Sequence, residues 1–292
     1  MQELLSPKDL AAAIGVSESS IKRWVDDGLI EAHRTAGGHR RIALTDAVRF
    51  LRRTRHKLVH PGRLGMPEDL AERRGDGAAW PADAGERLYR MLEAGAAAAS
   101  RALLMQLYVE GFSAAEICDG PLRSAMVRIG HLWTESSMGI MVEHRATEIC
   151  QHAVQQLRAL VPEQEDGPLA LGGTPSPDPS QLPSLAAAVV LAEEGFRAVN
   201  LGPDLPLAVL GDAVLGMRPA LVWVSVSHPS DAGLVEQDLA ALYGKAGQVG
   251  AALAVGGLSA PRCAALASKA RFLRGQSMAE LVAFVRGLGL IR

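Results

Sequence analysis

The chain has 292 residues, 48% of them hydrophobic and 21% charged, with a formal net charge of −2. This length holds two or three domains, and no apolar stretch is long and clean enough to span a bilayer or to serve as a signal peptide. Cys118, Cys150 and Cys263 are scattered without metal-ligand spacing, which predicts a cytoplasmic chain with buried thiols, no metal site and no membrane contact.

Charge divides the chain. Residues 1 to 60 carry 11 Lys/Arg against 7 Asp/Glu, and the remainder 19 against 25, a basic head of +4 on an acidic body of −6. A head of +4 supports several phosphate contacts but not tight DNA binding by a lone copy, so a homo-oligomer on repeated half-sites is expected.

Residues 6 to 30 predict two short helices around a Gly-Val turn. Ser6 with Asp9 fits a capping pair, Pro7 sits where a helix tolerates proline, Leu10, Ala11 and Ile14 form one apolar face, and Gly15 ends the first helix. Ser17 caps the second, which turns Ile21, Trp24 and Val25 inward and leaves Ser19, Ser20, Lys22 and Arg23 for base edges and phosphates. From Arg34 to Ile42 the chain reads Arg-Thr-Ala-Gly-Gly-His-Arg-Arg-Ile. Arg34, Thr35, Gly37, Gly38, His39, Arg40 and Arg41 thus write a DNA-binding wing, its glycines permitting positive φ at a hairpin tip and its arginines neutralising phosphates. A helix follows over Leu44 to Leu58, capped by Thr45 or Asp46, with Arg49, Arg52, Arg53, Arg55 and Lys57 as a basic run beside the wing. On these motifs residues 4 to about 57 resemble the winged helix-turn-helix of the MerR superfamily, which implies double-stranded DNA as partner.

Residues 61 to 82 read as a linker. Residues 83 to 95, 98 to 111, 113 to 134 and 138 to 161 have helical periodicity, the third broken or offset near Gly120-Pro121, and predict a four-helix bundle over 83 to 161. On composition Trp133 is a core filler, Glu143-His144 a surface pair near a helix start, and His131 a bundle residue.

A second break, Pro162 to Pro168, precedes a change of pattern. Over 168 to 292 apolar β-rich runs alternate with helical ones: LALGG, SLAAAVVLAEEGF, AVNLG, LAVLGDAVLG, ALVWVSVS, DLAALYGKAG, AALAVGG, CAALASKA, ARFL and a last helix from about Met278 to Leu288. That order predicts a flavodoxin-like, doubly wound parallel sheet, its ligand rim made by loops at the strand carboxyl ends. The overall class is multidomain α and α/β.

The Leu-Gly-Pro-Asp turn at Leu201 to Asp204, the Ser-x-Ser at Ser225 and Ser227, Gly256-Gly257, and Trp-x9-Glu-His from Trp133 to His144 resemble the cobalamin-binding domain with its helical cap. With the head, the whole chain is similar to B12-dependent, light-responsive repressors of the CarH/LitR type. The resemblance implies a ligand pocket of Trp133, Glu143, His144, Asp178, Ser180, Gly202, Ser225, Ser227, Gly256 and Gly257, with Trp133, Glu143 and His144 over the upper corrin face. It also implies Asp/Glu-x-His-x-x-Gly after the first strand, the histidine binding cobalt and the acid orienting it.

Here the corresponding stretch is Asp178-Pro179-Ser180-Gln181-Leu182-Pro183. The acid survives, the histidine is Ser180, which is no cobalt ligand, and Pro183 in place of glycine reshapes the loop through which a nucleotide tail passes. Thr134, not histidine, follows Trp133. His228, before a proline in the Ser225 to Ser230 loop, lies on the rim, where a histidine by default hydrogen-bonds locally and, on the sharper reading, replaces the lost ligand. The cofactor stays open between cobalamin, another planar or tetrapyrrole ligand, and none. The expected function is a non-enzymatic transcriptional regulator, a repressor, whose B12-binding-like sensor has lost histidine-ligated cobalamin; the alternatives are a corrinoid carrier of a methyltransferase system and an architectural, excisionase-like DNA binder.

Overall fold

The computed structural model describes residues 4–66, 83–133, 137–162, 164–229 and 231–290. Most of the linker (67 to 82), Thr134 and Ser230 lie outside these residues. Two compact units emerge, Met1–Ser113 with Gly120–Pro162, and Ala114–Asp119 with Glu163–Arg292.

The first unit begins with a short strand, β1 (Leu4–Leu5), and α1 (Pro7–Ile14). The capping pair forms in both directions: Asp9 N donates to Ser6 Oγ at 3.2 Å, and Ser6 N donates to Asp9 Oδ2 at 3.1 Å. Gly15 closes α1 at φ 70°, a conformation any side chain would strain. Ser17 caps α2 (Glu18–Asp26), and Ile21 is buried while Trp24 packs on Phe50. The strands β2 (His33–Arg34) and β3 (Arg40–Ala43) form an antiparallel hairpin, and β1 joins the far side of β3, giving the order β1-β3-β2.

The next helix, α3 (Leu44–Thr54), is shorter than expected. It follows β3 directly, so Ala43 occupies the capping position without a side-chain bond, and neither Thr45 nor Asp46 caps it. Asp46 instead pairs with Arg49 one turn on, at 3.2 Å. Arg55 in the left-handed region ends the helix, and the chain continues to a 3-10 turn at Pro61–Leu64.

The helical body consists of α4 (Ala84–Glu93) and α5 (Ala97–Val109), with α7 (Arg123–Leu132) and α8 (Ser137–Arg158). Helix α4 packs on α5, α7 and α8, and α8 packs on α5 and α7. The predicted third helix is interrupted as the Gly-Pro pair dictates: α6 (Ala114–Ile117) leads into a π-helical turn, Cys118–Leu122, that contains Pro121.

In the second unit β4 (Leu169–Gly173), β5 (Arg197–Asn200), β6 (Leu221–Ser225), β7 (Ala252–Gly256) and β8 (Phe272–Arg274) form an all-parallel sheet in the order β5-β4-β6-β7-β8. Numbered within the sheet this is 2-1-3-4-5, with its topological switch between β4 and β6. Strand alternation splits the core. Leu171, Val222, Val224, Leu253 and Val255 pack with α10 (Leu207–Met217) and α11 (Ala232–Gln248), whereas Ala170, Trp223, Ala252 and Ala254 pack with α9 (Leu182–Glu193) and α12 (Met278–Gly287). The second face is alanine-rich because it must hold one indole: a Cβ on Gly172 would stand 2.2 Å from the Trp223 ring. Segment Ala114–Asp119 belongs to this face, Glu193 accepting from Ala114 N at 2.6 Å and Asp119 accepting from Met278 N and Ala279 N at the start of α12.

One expected helix is absent. Cys263 to Ala270 forms turns, not a helix, since Cys263 adopts φ 48° and Ala264 N donates to the Glu236 carboxylate instead of entering a helical ladder. Burial pushes the thiols of Cys118 and Cys150 up to about 12 and that of Cys263 to about 11, so all three are inert small hydrophobes.

Candidate functional site

Two regions concentrate the predicted site residues. In the head, α2 exposes Ser19, Lys22 and Arg23, with Ser20 half-buried. The Ser17 hydroxyl lies 2.8 Å from both the Ser19 and Ser20 hydroxyls, and Lys22 pairs with Glu18 at 2.8 Å. The Arg23 side chain has no hydrogen-bond or ion-pair partner among the described residues. These four side chains form a polar surface in which Ser19, Ser20 and Lys22 make local, exchangeable contacts; an exposed i,i+4 pair such as Glu18–Lys22 contributes only about 0.3–0.5 kcal/mol.

The hairpin is closed by Thr35. Its N–H donates to His39 O at 2.9 Å, its carbonyl accepts from Gly38 N at 2.8 Å, and its hydroxyl accepts from His39 N. Of the two glycines that permit positive φ, Gly38 uses it, at φ 76°, and Gly37 does not. From His33 to His39 every residue is exposed. Register places His33 opposite Arg41 and Arg34 opposite Arg40, so Arg34 and Arg40 share one hairpin face and Arg41 takes the other. Arg40 is turned inward to Asp26 at the end of α2, at 2.6 Å. The guanidinium groups of Arg34 and Arg41 have no hydrogen-bond partner among the described residues, though the Arg41 charge, after the Ser6 hydrogen bond, helps to hold the Asp9 carboxyl low.

The basic run of α3 divides in a way the sequence did not indicate. Arg52 donates to Tyr108 O and Phe112 O (2.5 and 2.8 Å) and lies 3.8 Å over the Tyr108 ring, while Arg55 donates to Glu110 O at 2.9 Å. Arg53 donates to Leu29 O at 2.6 Å, and Arg49 pairs with Asp46 and Glu31. Arg52 and Arg55 therefore satisfy the carbonyls at the carboxyl end of α5, the negative end of its dipole. They are internal fasteners of the first unit.

The second region is the rim of the sheet at the switch point. Its centre is Asp178, fully buried. One carboxylate oxygen accepts from Ser180 N at 2.9 Å, the other from Ser227 N and His228 N at 2.6 and 2.7 Å. Burial pushes the Asp178 pKa up, but these hydrogen bonds, from His228 N first, outweigh it and hold the carboxyl below the usual carboxylate range. Asp178 thus ties the loop after β4 to the loop after β6. Neighbouring loops are tied as well, by Thr174 N to Gly202 O at 3.0 Å, Asp204 N to Asp178 O at 3.2 Å, and Ser259 Oγ to Ser227 O at 2.7 Å. Gly257, at φ 102°, passes so close that a Cβ would meet Val226 O at 2.3 Å. Asp178, Ser180, Gly202, Ser225, Ser227, Gly256 and Gly257 are all brought to this one edge.

Ser180 Oγ stands 2.8 Å from His228 Nδ1, and Asp178 Oδ1 is 3.8 Å from the same nitrogen. Ser180 thus offers no nitrogen, and its hydroxyl is engaged. Beneath the rim, Trp223 Nε1 donates to Ser184 Oγ at 3.0 Å, Ser184 Oγ donates to Asn200 Oδ1 at 2.9 Å, and Gly202 N donates to the same oxygen. Sequence reasoning missed this chain; its only signals were a tryptophan in an apolar strand and an asparagine at a strand end. The donor set at position 180 does not fit a metal held from the Asp-x-His loop.

The other predicted pocket residues lie in the first unit. Trp133 is 58% exposed, which overturns the core-filler expectation: it ends α7, where the apolar positions Ala125 and Ile129 have already supplied the buried face. Glu143 and His144 sit in the second turn of α8, the His144 side chain largely exposed and 3.9 Å from the Glu143 carboxylate. Among the described residues no cluster of three His, Cys, Asp or Glu side chains is placed to hold a metal ion, and no helix is long and apolar enough to cross a membrane.

Comparison with known proteins bears on both regions. Residues 4–55 match the family model of a helix-turn-helix domain, and residues 84–158 that of a B12 binding domain. The HTH-type transcriptional repressor CarA of Myxococcus xanthus is 24% identical over 238 residues, 79% of this chain and 80% of that protein. Among solved structures, the monomethylamine corrinoid protein of Methanosarcina barkeri shares the fold at TM-score 0.54 and 14% identity, over 70% of this chain and 98% of its own. A cobalamin-binding protein from Desulfitobacterium hafniense has TM-score 0.35 and 16% identity, over 70% of this chain and 97% of its own. The chain therefore carries a helix-turn-helix domain, a B12-binding-type helical region and a parallel α/β sheet.

Proposed function

We propose that the protein is a transcriptional regulator, a repressor, in which a MerR-type winged head binds duplex DNA and a B12-binding-like body senses a ligand without histidine at position 180. The reading places it in the cytoplasm as a homo-oligomer. The observation that carries it is the exposed hairpin from His33 to His39 beside a polar α2, with Arg23, Arg34 and Arg41 unengaged by hydrogen bonds. A guanidinium whose donors are not committed to internal hydrogen bonds can release counterions from a phosphate.

A hydrolytic role is not favoured. Asp178, Ser180 and His228 have the residue types of a catalytic triad, but serine and aspartate face the same ring nitrogen. The imidazole is thus unable to take a proton from one side while being oriented from the other. The corrinoid-carrier alternative leaves the helix-turn-helix head without use, and an architectural binder leaves the stitched rim without use.

The test is the salt dependence of DNA binding by the full chain. Replacing Arg23, Arg34 and Arg41 together by Ala should lower the slope of log affinity against log salt by about 2.7, close to 0.9 per lost phosphate contact. An unchanged slope overturns the head assignment.

A further inference from the structure

His228 is a titratable side chain on the rim that the sequence motif did not require, and its setting is built. Its backbone N–H is held by the buried Asp178 carboxylate, and its ring Nδ1 by the Ser180 hydroxyl. Asp178 Oδ1, 3.8 Å away on the same side of the ring, favours the proton on Nδ1. With Nδ1–H donating to Ser180 Oγ, the lone pair sits on Nε2. That nitrogen has no partner among the described residues, and the side chain is 63% exposed. An imidazole with one nitrogen hydrogen-bonded near a carboxylate and the other open is the arrangement of a metal ligand.

What it would bind follows from what is missing around it. The described residues contain no cluster of three metal-ligating side chains, so a bare ion at His228 would find one donor and no cage. A metal that needs only one protein donor brings its other ligands with it, as one held in a planar macrocycle with an open axial position does. The surroundings suit such a ring. Leu258, 84% exposed, is carried on the loop that Ser259 fastens to Ser227, and Leu201, also exposed, leads into the Gly202 turn. Two exposed leucines and one oriented imidazole sit on loops tied together at a switch point, where open α/β sheets take their ligands.

We propose that His228 Nε2 is the axial donor to the metal of a planar tetrapyrrole, with Ser180 orienting it, so that the nitrogen expected at position 180 is supplied from the loop after β6. This rests on the reading of the body as a B12-binding-like ligand sensor. The two carboxyl-end loops exchange roles: the first keeps the carboxylate and a hydroxyl, and the second provides the ligand.

The full-length chain, its His228→Gln variant and its Ser180→Ala variant should be titrated with aquocobinamide, a corrinoid without a nucleotide base whose axial nitrogen must come from protein, and separately with haemin and a metal-free bilin. Visible absorption reports binding, and the electron paramagnetic spectrum of the reduced cobinamide complex reports nitrogen on cobalt. The wild type should bind one of the two metal-containing rings with an axial-nitrogen signature. His228→Gln, which preserves a polar contact to Ser180, should lose that signature and at least tenfold in affinity at unchanged thermal unfolding. Ser180→Ala should keep the signature and weaken binding by about tenfold. Which ring binds tells a cobalt corrinoid from a haem. Identical spectra for wild type and His228→Gln overturn the proposal while the sensor reading stands, as does binding of the bilin alone. Binding of none of the three overturns both.

Discussion

The hairpin of the head and the loop after β4 are both short polar connections, yet they are finished in opposite ways. From His33 to His39 every residue of the hairpin is exposed, and the Arg34 guanidinium has no hydrogen-bond partner among the described residues. The loop from Thr174 to Gln181 is fastened by its polar atoms to two other loops, those after β5 and β6, the second through a carboxylate fully removed from solvent. A surface meant to meet a polyanion is best left with unspent donors, whereas a seat for a rigid ligand gains from being fixed before the ligand arrives. Charge alone does not distinguish the two; the partner of each charge does.

The largest expected effect tests the rim. Asp178→Ala removes one carboxylate and leaves the N–H groups of Ser180, Ser227 and His228 without their acceptor, so the second unit should lose about 3 kcal/mol, read as a lower urea midpoint. Folding lowers the Asp178 pKa, so its contribution is complete above pH of about 4, the unfolded value, and disappears as pH falls through the lower folded value. The wild type should therefore be destabilised by acid more steeply than Asp178→Ala. Parallel acid profiles would show that the carboxylate does not hold the rim together.

The next effect tests whether basic residues of the head are all of one kind. Arg52→Ala deletes the hydrogen bonds to the Tyr108 and Phe112 carbonyls and a stacked cation, and should cost the first unit about 2 kcal/mol. Arg52→Lys should recover less than half of that, because an ammonium neither forks between two carbonyls nor stacks flat on Tyr108. A full rescue by lysine would mean that only the charge matters, through the dipole of α5.

Those two side chains also show where sequence reading stops. Helix starts at Ser6 and Ser17, the break at Gly120-Pro121 and the strand runs of the sheet were legible because each depends on local chemistry: a hydroxyl cap, a missing N–H, an apolar period. Arg52 looked like its neighbours because its partners are 56 and 60 residues away, and no local signal encodes such a contact. The surviving Asp178 was legible as half of a motif, but its bonds to Ser227 and His228 span about 50 residues, so its work in joining two loops was not. Trp133 was misjudged because composition favours burial of tryptophan, whereas position at the end of a short helix decides it.

The smallest expected effect sharpens the contrast within the hairpin itself. Arg34 and Arg40 face each other across the strands on one side, but Arg34 is unengaged and Arg40 is bound to Asp26 at 2.6 Å. If unspent charge is what the head presents to DNA, Arg34→Ala should lower the salt slope by about 0.9, while Arg40→Ala should change it by less than half as much. Whatever affinity Arg40→Ala loses should come from a hairpin no longer held to the end of α2, and should therefore depend little on salt. Asp26→Asn provides the opposite perturbation: it releases the Arg40 guanidinium and removes a negative charge from the same surface. Affinity for random duplex should rise severalfold and the slope should steepen by about 0.9, the value of one further phosphate contact. Equal slopes for Arg34→Ala and Arg40→Ala, with no gain from Asp26→Asn, would mean that DNA already breaks the Asp26 pair on binding, and that an internal partner at the surface is no barrier to recognition.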